Sequence, residues 1–410
     1  MNELKTRETI EIIADGTVTT PRGFTAGGIH VGVRDDWSKL DVGLLVSEQL
    51  CTAAATYTRN KLMAAPLLIT QKHLANGTAR AVVANSGCAN AATGDQGVTN
   101  AMTMASAAGA ALGISPDDVV VASTGVIGTQ LPMDRVEPGI GRVALTQQGG
   151  IDFAVSIMTT DTVPKYMAVR HGDWTIGAVC KGVGMIHPNM ATMLCFMTTD
   201  ANVNGTFLQD ALRQAVDVSF NMVDIDSDTS TNDMALVLAN GMAGGSEIDA
   251  AHPDAEPFQR SLTLLCTAMA RKMVHDAEGG TKLIEATVTG AASPGDARLA
   301  ARAIVSSIGV KTAVYGRDPN WGRPLAAVGN SGAAFDLAKS RLSLVHPNGT
   351  EVTLFAAGSP LDYDYSAART SLAPQDVFLR VDLGLGDGEA TAWGSDLTEE
   401  FVRLNSVYTT

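Results

Sequence analysis

The sequence is poor in aromatic residues, 5% of 410, and contains no uninterrupted apolar stretch near the roughly 18 residues that cross a bilayer. A membrane span is therefore not expected. Cysteine is also scarce: Cys51, Cys88, Cys180, Cys195 and Cys266 form no C-x-x-C pair, and an odd number of thiols suits reduced core residues better than a disulfide framework. The seven histidines contain no H-E-x-x-H, which leaves zinc chemistry without support. Gly182-Val183-Gly184 runs into Met185, Ile186 and His187, breaking the dinucleotide fingerprint, and no phosphate-binding G-x-x-x-x-G-K-[ST] occurs. Basic charge is in deficit, with 29 Lys and Arg against 43 Asp and Glu and a net charge of −14. Such a field repels nucleic acid and anionic membranes, yet it attracts a cationic amino acid and leaves room for local cations that hold a carboxylate. Met1–Arg7 carries Glu3, Lys5 and Arg7 and has no apolar leader, so a soluble cytoplasmic protein is expected.

What is present suits a large layered protein. Hydrophobic residues make up 45% of the chain and glycines number 41, and the length exceeds what one core usually fills. Apolar runs bounded by Gly, Asn, Asp or Ser predict strands at Gly43–Ser47, Pro66–Thr70, Ala81–Ala84, Val119–Ala122, Thr175–Val179, Met193–Met197, Ala235–Ala239 and Leu283–Val288. Helical spacing predicts helices at Val98–Leu112, Phe207–Phe220, Ala255–Val274 and Ala297–Ser306. The mixed order favours an α+β fold of layered mixed sheets flanked by helices, in which Trp174–Thr199 pairs antiparallel through a short turn. A Ser-Pro-Gly-Asp turn at Ser293–Asp296 marks a candidate sub-boundary.

The segment Lys181 to Leu194 concentrates the chemistry. A glycine pair and a Pro-Asn turn lead into Met190-Ala191-Thr192 and then an apolar strand, which places the Thr192 hydroxyl at the strand's mouth. A threonine becomes a nucleophile when its own α-amine activates it, and that requires a chain break just before it. A free α-amino group, with a pKa of roughly 7.7–8.0, can take the hydroxyl proton near neutrality. Read locally, a threonine opening a strand is ordinarily just a β-former. The run Gly184-Met185-Ile186 through Pro188-Asn189-Met190-Ala191-Thr192-Met193-Leu194, however, resembles the cleavage signature of the ArgJ family of ornithine acetyltransferases, and the similarity extends over essentially the whole chain.

The resemblance implies an α-β-β-α sandwich of the ArgJ/DmpA type and self-cleavage between Ala191 and Thr192, giving an α chain of residues 1–191 and a β chain of residues 192–410. It also implies an α2β2 assembly and no cofactor. Thr192 matches the family nucleophile and a substrate-binding position. Thr124 and Gly125, in Ser123-Thr124-Gly125-Val126-Ile127-Gly128, match its oxyanion hole. Thr159, Lys181, Glu278, Asn405 and Thr410 match its substrate-binding positions. Lys181 would be brought near the acyl site if Trp174–Lys181 and Met193–Thr199 are adjacent strands, there to pair with a substrate carboxylate. Glu278 would hold the ornithine ammonium.

The implied reaction carries acetyl from N-acetylornithine to glutamate through an acetyl-threonine, and it belongs to arginine biosynthesis. Acetyl-CoA stays open as a further donor. Two other readings also stay open: an N-terminal-nucleophile amidohydrolase or aminopeptidase, and a non-catalytic amino-acid-binding protein whose Ala191–Thr192 bond never breaks. Asn85–Asn90, Asp224–Asp233 and Gly316–Arg323 are family-like blocks to which the sequence gives no role. Asp224–Asp233 departs from a calcium loop at its sixth and twelfth positions, Thr229 and Ala235.

Overall fold

The computed structural model describes residues 9–36, 38–187 and 193–407, so Ala191, Thr192 and Thr410 lie outside the described residues. In chain order the strands are β1 (Glu11–Ile13), β2 (Phe24–Ile29), β3 (Val42–Tyr57), β4 (Thr78–Asn85), β5 (Val119–Ser123), β6 (Lys165–His171), β7 (Trp174–Lys181) and β8 (Leu194–Thr199). They continue with β9 (Val223–Asp224), β10 (Met234–Ala239), β11 (Leu283–Ala291), β12 (Arg341–Val345), β13 (Glu351–Ala356), β14 (Ser359–Pro360), β15 (Asp376–Asp382) and β16 (Gly388–Ser395).

Two mixed sheets result. One has the order β1-β6-β7-β8-β10-β3-β4-β5 with β2 also paired to β3; the other runs β14-β13-β12-β15-β11-β16-β9. This is the expected arrangement of mixed sheets with flanking helices. The expected pairing within Trp174–Thr199 also forms: β7 and β8 are antiparallel, with Lys181 opposite Leu194. Beyond them β8 and β10 run parallel, Leu194 beside Met234.

Strands β7, β8 and β10 are buried along their whole lengths, which explains why each reads as a continuous apolar run instead of an alternating one. On one face Val179, Phe196 and Leu238 pack with Phe153 of the helix Gly150–Ser156, and the Phe153 and Phe196 rings meet edge-on at 5.3 Å. On the other face Ala178, Cys195 and Val237 join Leu212 of the helix Gly205–Asp217 and Met269 of the helix Ala255–His275. The latter helix touches strands of both sheets and so sits where the two cores merge. All five cysteines are buried and unpaired. No helix among the described residues is long and apolar enough to cross a membrane.

One predicted strand is a helix. Pro66–Thr70 lies inside the helix Ala65–His73, whose first turn accommodates Pro66 and whose last turn carries Lys72 and His73. A proline in the first helical turn loses no intrahelical bond, and basic residues suit the C-terminal end of the dipole. The four predicted helices all form, at Gly94–Leu112, Gly205–Asp217, Ala255–His275 and Pro294–Ser306. Three start earlier than their apolar spacing indicated, and for two of these a cap is the reason: Asn204 accepts from the Thr206 and Phe207 N–H groups, and Ser293 accepts from the Asp296 N–H. The Ser293–Asp296 turn is thus the start of a helix that packs back on β11.

Candidate active site

The Thr124-Gly125 turn follows β5 and is fastened to the end of β4. The Thr124 N–H donates to the Asn85 carbonyl at 3.0 Å and the Val126 N–H to that of Gly87 at 3.3 Å. Gly125 has φ +131°, and a Cβ there would stand 2.4 Å from the Gly87 carbonyl carbon, so only glycine fits this turn. The Gly125 N–H donates to nothing among the described residues, and Gly125 lines a cavity of about 750 Å³. Asn232 ties the second half of the chain to the turn, its Nδ2 donating to the carbonyls of Ala89 (2.7 Å) and Ser123 (2.8 Å).

Lys181, at the end of β7, is buried, and its Nζ donates to Thr124 Oγ1 at 3.4 Å. The Thr124 hydroxyl therefore accepts from an ammonium and keeps its own proton for another acceptor, as an oxyanion donor must. Burial pulls the Lys181 pKa below the ordinary lysine value, while Asp161, Asp233 and Glu278 draw it back up.

Asp161 is the internal brace of this wall. Its carboxylate accepts from Lys165 Nζ at 2.7 Å and from the Gly182 and Thr159 N–H groups at 2.9 and 3.0 Å. Burial alone would raise its pKa, but Lys165, Lys181 and these donors hold it at about 2. Lys165 is bonded a second time, to Asp276 at 2.6 Å. The brace fixes Thr159 and Lys181 relative to each other.

Glu278 closes the opposite side. Its N–H donates to the Val183 carbonyl at 2.9 Å, and its carboxylate accepts from Thr160 Oγ1 at 2.5 Å and Asn405 Nδ2 at 3.1 Å. A Cβ on Gly184 would sit 2.7 Å from that carboxylate, so the glycine leaves the acid its place. Asn405 belongs to the helix Glu399–Val407, which reaches over the cavity with Phe401. Six of the residues predicted for the site, Thr124, Gly125, Thr159, Lys181, Glu278 and Asn405, thus line one cavity.

Both flanks of the segment 188–192 are pinned. On its N-terminal side Asp226 accepts from the N–H groups of Met185 and, at 2.9 Å, Ile186; His187 Nδ1 lies 2.7 Å from Asp224, which also meets Lys311 at 3.0 Å. On the other side the Met193 carbonyl accepts from the Met234 N–H at 2.9 Å. Burial raises the Asp226 carboxyl to about 6 despite its N–H donors. Asp233, next to Met234, is buried with neither carboxylate oxygen hydrogen-bonded among the described residues. Burial lifts its carboxyl well above the carboxylate range, opposed by the nearby Met193 backbone and the charge of Lys181, neither of which reaches it at hydrogen-bond geometry.

The sequence reading missed Asp161, Lys165, Asp226 and Asp233. Asp161 lies two residues after Thr159, and Asp226 and Asp233 lie inside the Asp224–Asp233 block, but a buried acid gives no local signal. Among the described residues no group of His, Cys, Asp or Glu is arranged to hold a metal ion.

A layered α/β fold with a cavity that combines an unengaged N–H, a hydroxyl donor, a buried ammonium and a braced carboxylate defines an enzyme built for small charged substrates. Residues 25–410 match the model of the ArgJ family, and the chain belongs to that family. It is 49% identical over 402 residues to the arginine biosynthesis bifunctional protein ArgJ of Symbiobacterium thermophilum, covering 96% of this chain and 99% of the relative. To the protein of the same name from Dehalococcoides mccartyi it is 44% identical over 409 residues, covering 98% and 100%. Among solved structures, the ornithine acetyltransferase complexed with ornithine from Mycobacterium tuberculosis is 38% identical, covering 45% of this chain and 100% of that one, with a TM-score of 0.43.

Proposed function

We propose that this chain cuts itself between Ala191 and Thr192 and uses the new N-terminal threonine to carry acetyl from N2-acetylornithine to glutamate in arginine biosynthesis. The supporting observation is that the Thr124-Gly125 donors, Lys181 and Glu278 share one cavity while the described residues on both sides of segment 188–192 are anchored beside it. Family membership over residues 25–410 supports the same reading.

The Thr192 hydroxyl adds to the acetyl carbonyl, its proton passing to the Thr192 amine, and the oxyanion is held by the Thr124 hydroxyl and the Gly125 N–H. The C–N bond breaks, the amine returns the proton to the leaving nitrogen, and ornithine departs. Glutamate then enters, its α-amine attacks the acetyl ester, and the threonine oxygen leaves with the proton. Lys181 pairs with the substrate α-carboxylate and Glu278 with the δ-ammonium. Two cut chains assemble as α2β2, and an assay with acetyl-CoA in place of acetylornithine decides whether it donates as well.

Incubation with N-acetylornithine, with and without glutamate, tests this. Ornithine together with acetylglutamate is the expected product pair; free acetate with no acetylglutamate would make the chain an amidohydrolase. Glu278→Ala should raise KM for acetylornithine at least about tenfold, as loss of a charge-assisted contact does, while the extent of self-cleavage on a denaturing gel changes little. Equal loss of cleavage and binding would assign Glu278 to the fold alone.

A further inference from the structure

The proposed reaction sets the cavity a charge problem. Acetylornithine brings a cationic δ-ammonium, glutamate an anionic γ-carboxylate, and both backbones must be held alike for the same threonine to reach them. An acid placed for the ammonium repels the carboxylate, so acceptor binding needs a cation of its own. Among the described residues three cationic ones line the cavity: Lys181, Arg34 and Lys39. Lys181 lies at Thr124, beside the reacting centre, and is taken by the α-carboxylate.

Arg34 is held more firmly than a mouth residue would need to be. The buried Asp41 carboxylate gathers four successive backbone N–H groups, those of Val31 (2.7 Å), Gly32 (3.0 Å), Val33 (2.8 Å) and Arg34 itself (3.2 Å). This fan fixes the loop up to and including the Arg34 backbone. The side chain is seated as well: a Cβ on Gly87 would stand 2.7 Å from Arg34 Cγ, so the glycine leaves a slot for the arginine stem. Gly87 in turn abuts Gly125. The loop, the slot and the oxyanion turn are in contact one after another, and Arg34 is among the residues that line the substrate cavity. Its planar fork matches a carboxylate at two points, which a lysine cannot do.

Building on the proposed transfer, we infer that Arg34 is the acceptor-selecting residue, binding the distal carboxylate of the incoming glutamate while Glu278 serves the donor's ammonium. Glutamine has the same length and lacks that charge, so it serves as the comparison acceptor. With the wild-type enzyme, kcat/KM for glutamate should exceed that for glutamine. In Arg34→Gln the ratio should fall at least about tenfold, with Arg34→Lys in between. Ornithine release from acetylornithine, measured in a single turnover without acceptor, should stay within about twofold of wild type, because the donor presents no distal carboxylate.

A variant with an unchanged glutamate-to-glutamine ratio would overturn the inference, and a parallel fall in the donor half-reaction would reduce Arg34 to a structural part of the loop. Absence of acetyl transfer in the wild type would instead sink the underlying function. The three failures are thus distinguishable.

Discussion

Thr192→Ala should run as a single uncut chain under denaturing conditions and transfer no acetyl group, whereas Thr192→Ser should be cut in part and retain some transfer. Alanine removes the oxygen proposed to displace the Ala191 amide, and without the cut there is no α-amine to accept a proton. Serine keeps the oxygen but loses the β-methyl that limits its rotamers, so fewer molecules hold the attacking geometry. Intact mass of the purified protein decides the matter: fragments 1–191 and 192–410 in the serine variant, and the whole chain in the alanine variant. Two fragments from Thr192→Ala would move the cleavage chemistry to another residue. In the cut enzyme the amine must be neutral to act as base, so transfer should rise with pH as this group deprotonates near its ordinary range of roughly 7.7–8.0.

Gly125→Ala should be the most damaging single-methyl change in the described residues of the site. The added carbon would meet backbone on three sides, at 2.4 Å from the Gly87 carbonyl carbon, 2.6 Å from the Cys88 nitrogen and 2.7 Å from Gly87 Cα, and at φ +131° the residue is strained besides. Backbone cannot rotate away as a side-chain tip can, so the turn must shift and carry the Gly125 N–H off its target. Loss of one oxyanion donor costs roughly 10²–10³ in kcat, and a fall of that order is expected with KM moving much less. Gly128 provides the control. It too has positive φ, +83°, but a Cβ there meets nothing within 4 Å, so Gly128→Ala should carry strain alone and leave kcat within a few fold. Equal effects of the two substitutions would show that strain, and not the Gly87 contact, governs the turn.

The parts of the fold legible in the sequence are those whose burial writes itself into a local pattern. Strands β7, β8 and β10 are covered on both faces and read as apolar runs, and the short connection between β7 and β8 made their antiparallel pairing the natural choice. Pro66–Thr70 failed for the complementary reason: so short a run has no readable period, and the helix that contains it is declared by a proline in its first turn, not by spacing. Thr124, Gly125, Lys181 and Glu278, which line one cavity, were named through separate blocks that resemble the family. Asp161, Asp226, Asp233 and Arg34 were not, because what distinguishes each is the set of groups that converge on it from remote segments. Arg34 is illustrative, since the inference about it rests on Asp41 seven residues on and on the missing side chain of Gly87.

The position of the proposed cut between β7 and β8 has a kinetic consequence. These strands are hydrogen-bonded neighbours in the middle of one sheet, and β8 continues into β10 on the far side. A chain severed there is still one hydrophobic body, but its two pieces are no longer tethered. Before cleavage, folding is unimolecular; afterwards, refolding depends on two separate molecules meeting, so its rate scales with concentration and dilution works against recovery. Maturation of such a protein is therefore irreversible in a second sense beyond the broken amide: the finished enzyme relies on slow unfolding, not on an easy return, to persist.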